Sequence, residues 1–288
     1  MLIVDTVEML KTEIANARQS GKSIGFVPTM GALHAGHIAL VDRSVAENDF
    51  TVVSIFVNPT QFNNATDLEK YPRTVEADAR LLEKAGCNLI FVPTIEAIYT
   101  DEEQKTRFEF DFEGLDTVME GKFRPGHFNG VVQIVSKLFQ LVQPHRSYFG
   151  EKDFQQLAII HLMTRKMGFD IEIIDCPIVR EPSGLAMSSR NERLTSEQRA
   201  IAAGISAVLF RSRDLTEKMT PAELTHWVET EIGKIEGLNL EYFEIAGAAT
   251  LQTANNWNSP TVGCIAVFCG EVRLIDNIRY NSQFIIHN

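Results

Sequence analysis

The sequence predicts an α/β fold, in which an N-terminal domain with a parallel sheet precedes a smaller α+β domain. Nearly continuous apolar runs alternate with helical patterns in the first part, which is typical of a parallel sheet covered on both faces. After about Arg180 the order changes to helices followed by strands. The length of 288 residues also fits about two domains of ~150 residues. We therefore expect one domain at 1–180 and a second at 181–288.

The strands of the first domain are predicted where short apolar runs end near proline or another turn residue. Because successive residues are apolar, these runs are typical of strands that are buried on both faces. They are Ser23–Pro28, Thr51–Val57, Asn88–Val92 and Ile171–Val179, the last interrupted by Pro177, with a short apolar piece at Ser147–Phe149.

Helical patterns fill the intervals between these strands. Gly130–Val142 is apolar on most sides, so we expect a deeply buried helix there. The predicted helices of the first domain are Thr6–Gln19, Ala35–Asn48, Thr74–Ala85, Gly130–Val142 and Asp153–Met167.

The second domain begins with two capping-box signatures, TSEQ from Thr195 and TPAE from Thr220. They predict helices at Ser196–Ser212 and Pro221–Glu236. Strand-like runs follow, and Cys269-Gly270 is a candidate hairpin turn. The predicted strands are Leu240–Ile245, Thr261–Phe268 and Glu271–Asp276. Glu181–Asn191, which contains Pro182 and Gly184, is the predicted hinge between the domains.

Composition and charge narrow the function classes. The formal net charge of −11 disfavours nucleic acid as the main partner, because backbone binding needs a basic face, but it does not exclude a small anion in a basic pocket. No stretch reaches the ~18 apolar residues of a transmembrane helix. The four cysteines form no CxxC pair and favour buried free thiols. Together these features predict a cytoplasmic protein without a membrane segment.

The strongest chemical signal is the run PTMGALHAGH at 28–37, which follows the first predicted strand and opens a helix. Ligands of open α/β sheets bind at the carboxyl ends of strands, and helix N-termini attract phosphate. His34 and His37 are three residues apart, so two imidazoles can face one phosphate chain. Alone, the pair is equally consistent with two surface histidines, and half of a zinc site is a weaker alternative. Its place after a strand and a glycine turn favours nucleotide binding.

Four other clusters carry polar or charged side chains in loops. In GEKDFQQ, Lys152 is suited to a phosphate and Asp153 to a ribose hydroxyl or a metal-bound water. The loop MSSRN at 187–191 is suited to phosphates, although a hydrophilic linker is the simpler interpretation if the motif stands alone. NPTQF at 58–62 suits a small polar ligand, and RPGHFNG at 124–130 is either anion-binding or structural.

Taken together, the motifs resemble the pantoate–β-alanine ligase family. The matching segments are PTMGALHAGH at 28–37, VNPTQF at 57–62, YPRT at 71–74, RPGHFNGV at 124–131, GEKDFQQL at 150–157 and GLAMSSRN at 184–191. RLIDN at 273–277 also looks similar but is less diagnostic. HxGH alone is shared by a wide nucleotidyltransferase superfamily that includes class I aminoacyl-tRNA synthetases. Their KMSKS motif corresponds to 187–190, where Arg190 replaces a lysine.

The resemblance implies a Rossmann-like N-terminal domain, a smaller α+β C-terminal lid and a homodimer. It implies ATP-dependent condensation of (R)-pantoate with β-alanine through a pantoyl adenylate, releasing AMP and pyrophosphate, with Mg²⁺ accompanying ATP. The implied catalytic residues are His37, His34, Lys152, Ser188, Ser189 and Arg190. The implied ATP-binding residues are Met30, Gly31, Ala32, Leu33, His34, Ala35, Gly36, His37, Gly150, Glu151, Lys152, Asp153, Val179, Met187, Ser188, Ser189 and Arg190. Gln61 and Gln156 are implied to bind pantoate, and Gln61 also β-alanine; no protein metal ligand is assigned.

Three other functions remain as alternatives. A related HxGH enzyme that transfers a nucleotidyl group to a phosphate ester would share the histidines, but it gives no account of Gln61 and Gln156. A non-catalytic nucleotide sensor would need the phosphate loops only. An aminoacyl-tRNA synthetase is disfavoured by the net charge and by the lack of a basic anticodon-binding region.

Overall fold

The chain forms two compact units. The computed structural model describes residues 1–63, 65–106 and 108–280. The N-terminal unit contains Met1–Asp116, Gly121–Glu151 and Gln156–Pro177. The C-terminal unit begins at Ile178 and also includes the two short segments Thr117–Glu120 and Lys152–Gln155. The segment that carries Lys152 thus makes most of its contacts within the C-terminal unit. The domain boundary between 180 and 181 stays a prediction.

The N-terminal unit is built on a six-stranded sheet whose neighbouring strands are all parallel. The strands are β1 (Leu2–Val4), β2 (Ile24–Thr29), β3 (Phe50–Ile55), β4 (Leu89–Phe91), β5 (Arg146–Gly150) and β6 (Glu172–Cys176), in the order β1-β4-β3-β2-β5-β6. The order in which strands are added to the sheet reverses at β2, because β3 lies on one side of it and β5 on the other. Such a switch point is where open α/β sheets bind ligands.

Alternate residues of the central strands point to opposite faces of the sheet, and each face is covered by helices. Phe26 and Val52 belong to one apolar cluster, whereas the adjacent Val27 and Val53 belong to another. This period of two explains why both strands are apolar along their whole length. The predicted parallel α/β architecture is confirmed.

The helices of this part cover the sheet at the predicted places, with shifted ends. The longer helices are α1 (Val7–Gln19), α2 (Ala35–Glu47), α4 (Val75–Lys84), α8 (His127–Val142) and α9 (Phe154–Lys166). The helix predicted from Gly130 begins at His127 and is buried almost throughout, as expected. Short helices were not predicted, because one turn carries no periodic pattern. They are α3 (Ala65–Glu69), α5 (Ile95–Ile98), α6 (Asp101–Lys105) and α7 (Met119–Phe123).

Two strand predictions need correction, and one strand was not predicted. The run predicted as Ile171–Val179 ends as a strand at Cys176, because Pro177 has no N–H for the ladder. The strand predicted to reach Val57 ends at Ile55, before the one-turn 3₁₀ helix Pro59–Gln61. β1 was not predicted, because Leu2 and Ile3 are about half exposed on an edge strand of three residues.

The C-terminal unit packs two helices against a three-stranded antiparallel sheet, as predicted. Its elements are α10 (Ser196–Arg213), α11 (Pro221–Gly233), β7 (Leu238–Gly247), β8 (Thr261–Cys269) and β9 (Val272–Tyr280), with strand order β7-β8-β9. Both predicted capping boxes are present, from Thr195 and Thr220. The hairpin turn is Gly270-Glu271, one residue later than predicted, and Gly270 supplies the positive φ. β9 is longer than the predicted Glu271–Asp276 and continues to Tyr280.

All four cysteines are buried free thiols, as the sequence predicted. Burial raises the pKa of the Cys87 thiol to about 11, so this thiol stays protonated near neutral pH. Among the described residues, no helix is both long enough and apolar enough to cross a membrane.

Candidate active site

The loop after β2 turns sharply before it enters α2. Gly31 and Ala32 both have positive φ, at 82° and 51°. A non-glycine residue rarely adopts this backbone, so Ala32 must be held in place by its surroundings. The Asp78 carboxylate supplies the hold: Oδ2 accepts from Ala32 N at 2.9 Å and Oδ1 from Leu33 N at 2.8 Å. Asp78 is 1% exposed, and Thr74 Oγ1 donates to it at 3.2 Å.

His34 and His37 begin α2 as a capping pair. His34 Nδ1 accepts from Gly36 N at 3.1 Å, and His37 Nδ1 accepts from His34 N at 3.4 Å. The two ring centroids are 4.1 Å apart. Because a ring nitrogen that accepts a hydrogen bond carries no proton, this geometry places the proton of each neutral ring on Nε2. His34 precedes the helix rather than lying on its face, but the predicted pairing of the two imidazoles is present.

Gln61 lies against this loop. Its Nε2 donates to Met30 Sδ at 2.8 Å, so the structure joins the NPTQF motif to the PTMG turn. Asn58 Nδ2 donates to Gln61 Oε1 at 3.3 Å and to Gly130 O at 3.0 Å. Gly130 must be a glycine, because a Cβ there would collide with Thr60 O and lie 2.5 Å from Gln61 N. The 3₁₀ turn thus packs directly on α8.

His127 holds the backbone of Gln61 from the other side. Its Nδ1 lies 2.8 Å from Gln61 O, and its Nε2 lies 3.2 Å from Arg124 Nη1. Because a guanidinium only donates, His127 Nε2 accepts, and Nδ1 carries the proton that is donated to Gln61 O. The RPGHFNG motif therefore has a structural role in the N-terminal unit, which was one of the two interpretations of its sequence.

A cavity of about 410 Å³ adjoins Gln61 in the N-terminal unit. Its lining includes Gln61, Phe62, His127, Asn129 and Gln133. This volume lies within the range of small-molecule sites, and the wall combines an aromatic ring with amide groups. A small polar molecule with an apolar body fits such a wall.

Gly150 ends β5 and Glu151 follows it. Because β5 pairs with β2 in parallel, the chain leaves both strands at the same edge of the sheet. Gln156 lies half-buried in the first turn of α9 and belongs to the N-terminal unit, as Gln61 does. The predicted helix start at Asp153 is corrected to Phe154, because Glu151–Asp153 form a 3₁₀ turn.

Lys152 and Asp153 belong to the C-terminal unit. Lys152 Nζ lies 3.5 Å from Asp153 Oδ2; the Lys152 side chain is 16% exposed and that of Asp153 is 48% exposed. The Lys152 backbone carbonyl accepts from Asn277 Nδ2 at 3.0 Å. The ammonium group is thus close to a carboxylate that remains accessible to a ligand.

The MSSRN segment is held within the same unit. Met187 N donates to Val179 O at 3.0 Å, which brings two predicted ATP-binding positions together. Ser188 Oγ accepts from Arg190 N at 3.2 Å and caps the 3₁₀ helix Ser189–Arg193. Met187, Ser188, Ser189 and Arg190 are all half-buried.

A buried ion pair anchors the loop from Val179 to Met187. The Arg180 guanidinium binds both oxygens of Asp276, at 2.7 and 2.9 Å, and Arg180 Nη1 donates to Gly184 O at 3.1 Å. Glu181 receives the Arg199 guanidinium and the Asn191 amide, and these donors lower the pKa of the Glu181 carboxyl. The segment predicted as a hinge is therefore tied down at several points by side chains of its own unit.

Sequence reasoning missed three buried polar residues that organise these segments: Asp78, Asp276 and Asn277. They are between 1% and 5% exposed. The available signal was a polar residue on the buried face of an amphipathic helix, for Asp78, and the polar pair that interrupts an apolar strand, for the other two.

Within the described part of the chain, no group of three or more His, Cys, Asp or Glu side chains has metal-site geometry. Beside Lys152, the side chain of Asp153 is 48% exposed. An accessible carboxylate of this kind suits Mg²⁺, which keeps most of its water and takes one or two carboxylates together with substrate phosphates.

Comparisons with known proteins show the family of this chain. The family model described as pantoate-beta-alanine ligase matches residues 2–279. Pantothenate synthetases from Bacteroides fragilis (strain ATCC 25285) and Bacteroides thetaiotaomicron are each 57% identical, over 98% of this chain and the whole of those proteins.

Solved structures give the same result. Pantothenate synthetase from Thermus thermophilus has a TM-score of 0.90 at 40% identity, covering 96% of this chain and 99% of that one. Pantoate-beta-alanine ligase from Francisella tularensis, complexed with beta-gamma ATP and beta-alanine, has a TM-score of 0.80 at 39% identity, covering 96% and 97%. The chain belongs to the pantoate-beta-alanine ligase family.

Proposed function

We propose that this enzyme joins pantoate to β-alanine in two steps, through a pantoyl adenylate. The family gives the overall reaction, in which ATP drives condensation of the two substrates. The observation that carries the two-step proposal is the contact between Gln61 and Met30. It sets an amide suited to the pantoate hydroxyls directly against the loop that leads into the His34–His37 helix end.

The chemistry requires an activated carboxyl group. A carboxylate does not form an amide at neutral pH, because oxide is a poor leaving group. In the first step a pantoate carboxylate oxygen bonds to the α-phosphorus of ATP, and pyrophosphate leaves with the electron pair of the broken P–O bond. In the second step the neutral amine of β-alanine attacks the acyl carbon. AMP then leaves, and the amine loses a proton.

In the N-terminal unit, the ATP phosphates are assigned to the start of α2. Six residues of this segment are assigned to present backbone groups to the nucleotide: Met30, Gly31, Ala32, Leu33, Ala35 and Gly36. At the end of β5, Gly150 and Glu151 are assigned the same role. The helix N-terminus favours negative charge. His34 and His37 add Nε2–H donors, because Nδ1 of each ring already accepts. His37 is assigned the main role in stabilising charge on the phosphate oxygens.

In the C-terminal unit, Lys152 and the Ser188–Arg190 segment are assigned to the same phosphates, and Val179 and Met187 to the nucleotide. Lys152 and Arg190 offset negative charge, while Ser188 and Ser189 donate hydroxyl hydrogen bonds. Asp153 would hold Mg²⁺ through water. The bound ion would neutralise part of the phosphate charge.

Gln61 and Gln156 are assigned to pantoate, and Gln61 also to β-alanine. A neutral amide both donates and accepts, so it matches hydroxyl groups without adding charge beside the carboxylate. The cavity lined by Gln61 and Phe62 has room for a small substrate. Positioning of this kind is worth ~7–11 kcal/mol in well-oriented reactions.

Three further properties belong to the same proposal. The C-terminal unit acts as a lid, which would keep water away from the mixed anhydride. The enzyme is a homodimer, as the family resemblance implies. It works in the cytoplasm, an assignment supported by four buried free thiols, because reducing compartments preserve thiols.

The test is ATP–pyrophosphate exchange with one substrate omitted at a time. Pantoate alone, without β-alanine, is expected to support exchange, because adenylation precedes the amine. An absolute requirement for β-alanine would contradict the adenylate route. Analysis of the nucleotide product separates the related nucleotidyltransferase activity, which would retain AMP in a dinucleotide instead of releasing it.

A further inference from the structure

The strand β9 carries the RLIDN motif, to which the proposed reaction assigns no role. Three of its odd-numbered residues, Arg273, Asn277 and Arg279, contact the two short segments that the C-terminal unit takes from the earlier chain. Arg273 binds the Glu120 carboxylate at 2.6 and 2.9 Å. Asn277 Nδ2 donates to Lys152 O at 3.0 Å, and the Arg279 guanidinium lies 5.0 Å from the Phe154 ring centroid.

The even-numbered residues of β9 point to the other face of the sheet. Leu274 and Ile278 belong to the apolar core of the unit, whereas Asp276 stands between them as a buried carboxylate. Asp276 binds the Arg180 guanidinium through both oxygens. A buried charge is costly unless it is paired, and the bidentate geometry supplies both orientation and energy.

The two faces are linked through the backbone of Asn277. Asp276 Oδ1 also accepts from Asn277 N at 2.7 Å, and Arg180 Nη2 donates to Asn277 O at 3.4 Å. The same residue pair therefore holds the Lys152 backbone on one face and the loop from Val179 to Met187 on the other. The first segment carries Lys152, which is assigned to the phosphates, and the second leads directly into Ser188–Arg190, which is assigned to them as well.

We propose that Asn277 and Asp276 are positioning residues, which hold Lys152 and the Val179–Met187 loop in a fixed position relative to each other. This inference rests on the proposed role of Lys152 in adenylation. A side chain that must reach a phosphate needs its own backbone fixed, and Lys152 lies in a short 3₁₀ turn rather than inside a long helix. The amide of Asn277 provides this fixation from a residue that is 3% exposed.

The test is a double-mutant cycle on pantoate-dependent ATP–pyrophosphate exchange in the full-length enzyme. Asn277→Ala is expected to slow exchange about three- to tenfold, the equivalent of one hydrogen bond. In a Lys152→Ala background, the same change is expected to have little further effect, because it acts through Lys152. Reaction of preformed pantoyl adenylate with β-alanine is expected to stay at the wild-type rate in Asn277→Ala.

Controls separate positioning from loss of stability. Ser212→Ala removes a buried hydrogen bond to Tyr280 in the same unit, so it is expected to lower the Tm without slowing exchange. If Asn277→Ala does not fold, Asn277→Ser replaces it, because its shorter hydroxyl loses the reach to Lys152 O.

Each outcome is informative. Exchange at the wild-type rate in Asn277→Ala would overturn the inference while leaving the role of Lys152 intact. The same conclusion would follow if the double variant slowed exchange by the product of the two single-variant factors. Exchange at the wild-type rate in Lys152→Ala would show that the proposed role of Lys152 is itself wrong, and the inference would fall with it.

Discussion

The two proposed phosphate-binding regions are built in different ways. The loop from Met30 to His37 follows a buried strand, and its two imidazoles cap the helix that the same segment begins. Lys152 and the Ser188–Arg190 segment depend on β9, which lies about a hundred residues further along the chain. The first region is organised mainly by its own sequence, whereas the second is organised by distant residues. Local motifs therefore identify the chemical groups of a site more readily than they identify the residues that hold those groups in place.

The largest effect is expected at His37, in the locally built region. His37→Ala is expected to lower pantoate-dependent pyrophosphate exchange about 10²–10³-fold, because a donor to the developing phosphate charge is lost. The fold is expected to remain intact, since the hydrogen bond from His34 N to His37 Nδ1 is long, at 3.4 Å. His226→Ala, at a side chain that is 84% exposed, is the control and is expected to match wild type. Comparable exchange rates for His37→Ala and wild type would refute the role.

A smaller effect is expected at Asp78, a distant residue that holds the backbone of the first region. Asp78→Ala removes the acceptors of Ala32 N and Leu33 N, and it is expected to lower the free energy of unfolding by about 3 kcal/mol. Exchange is expected to fall as well, because the turn before His34 loosens. Chemical denaturation measures the first effect, with Asp170→Ala at an exposed position as the control. A free energy of unfolding of Asp78→Ala equal to that of wild type would show that the loop keeps its conformation without Asp78.

The sequence predicted the parallel sheet, the buried α8, both capping boxes and the C-terminal hairpin, because each follows from periodicity or turn chemistry over a few residues. It also predicted the pairing of His34 with His37 from their spacing. It assigned no role to Asp78, Asp276 or Asn277, because the partners that they hold in the site segments are 45 to 125 residues away and no local pattern encodes such pairings. β1 was missed for a related reason: among the described residues it pairs with β4 alone, and two of its three side chains are about half exposed.

The contact between Gln61 and Met30 is an example of a long-range contact that sequence motifs indicate. Both residues lie in motifs that the sequence singled out, after neighbouring strands β2 and β3. Parallel strands end at the same edge of a sheet, so two motifs in such positions are brought together. The cavity beside Gln61 was not predictable, because it is shaped by α8 and by side chains from several loops.

The central claim, an acyl adenylate, is tested most directly by following the pantoate carboxylate oxygen. Pantoate labelled with ¹⁸O in its carboxylate is incubated with ATP and β-alanine, and the products are analysed by mass spectrometry. The adenylate route predicts one ¹⁸O atom in AMP, because the oxygen bonded to phosphorus stays with AMP when the amine attacks the acyl carbon. Unlabelled AMP, with ¹⁸O in phosphate or pyrophosphate instead, would contradict the account.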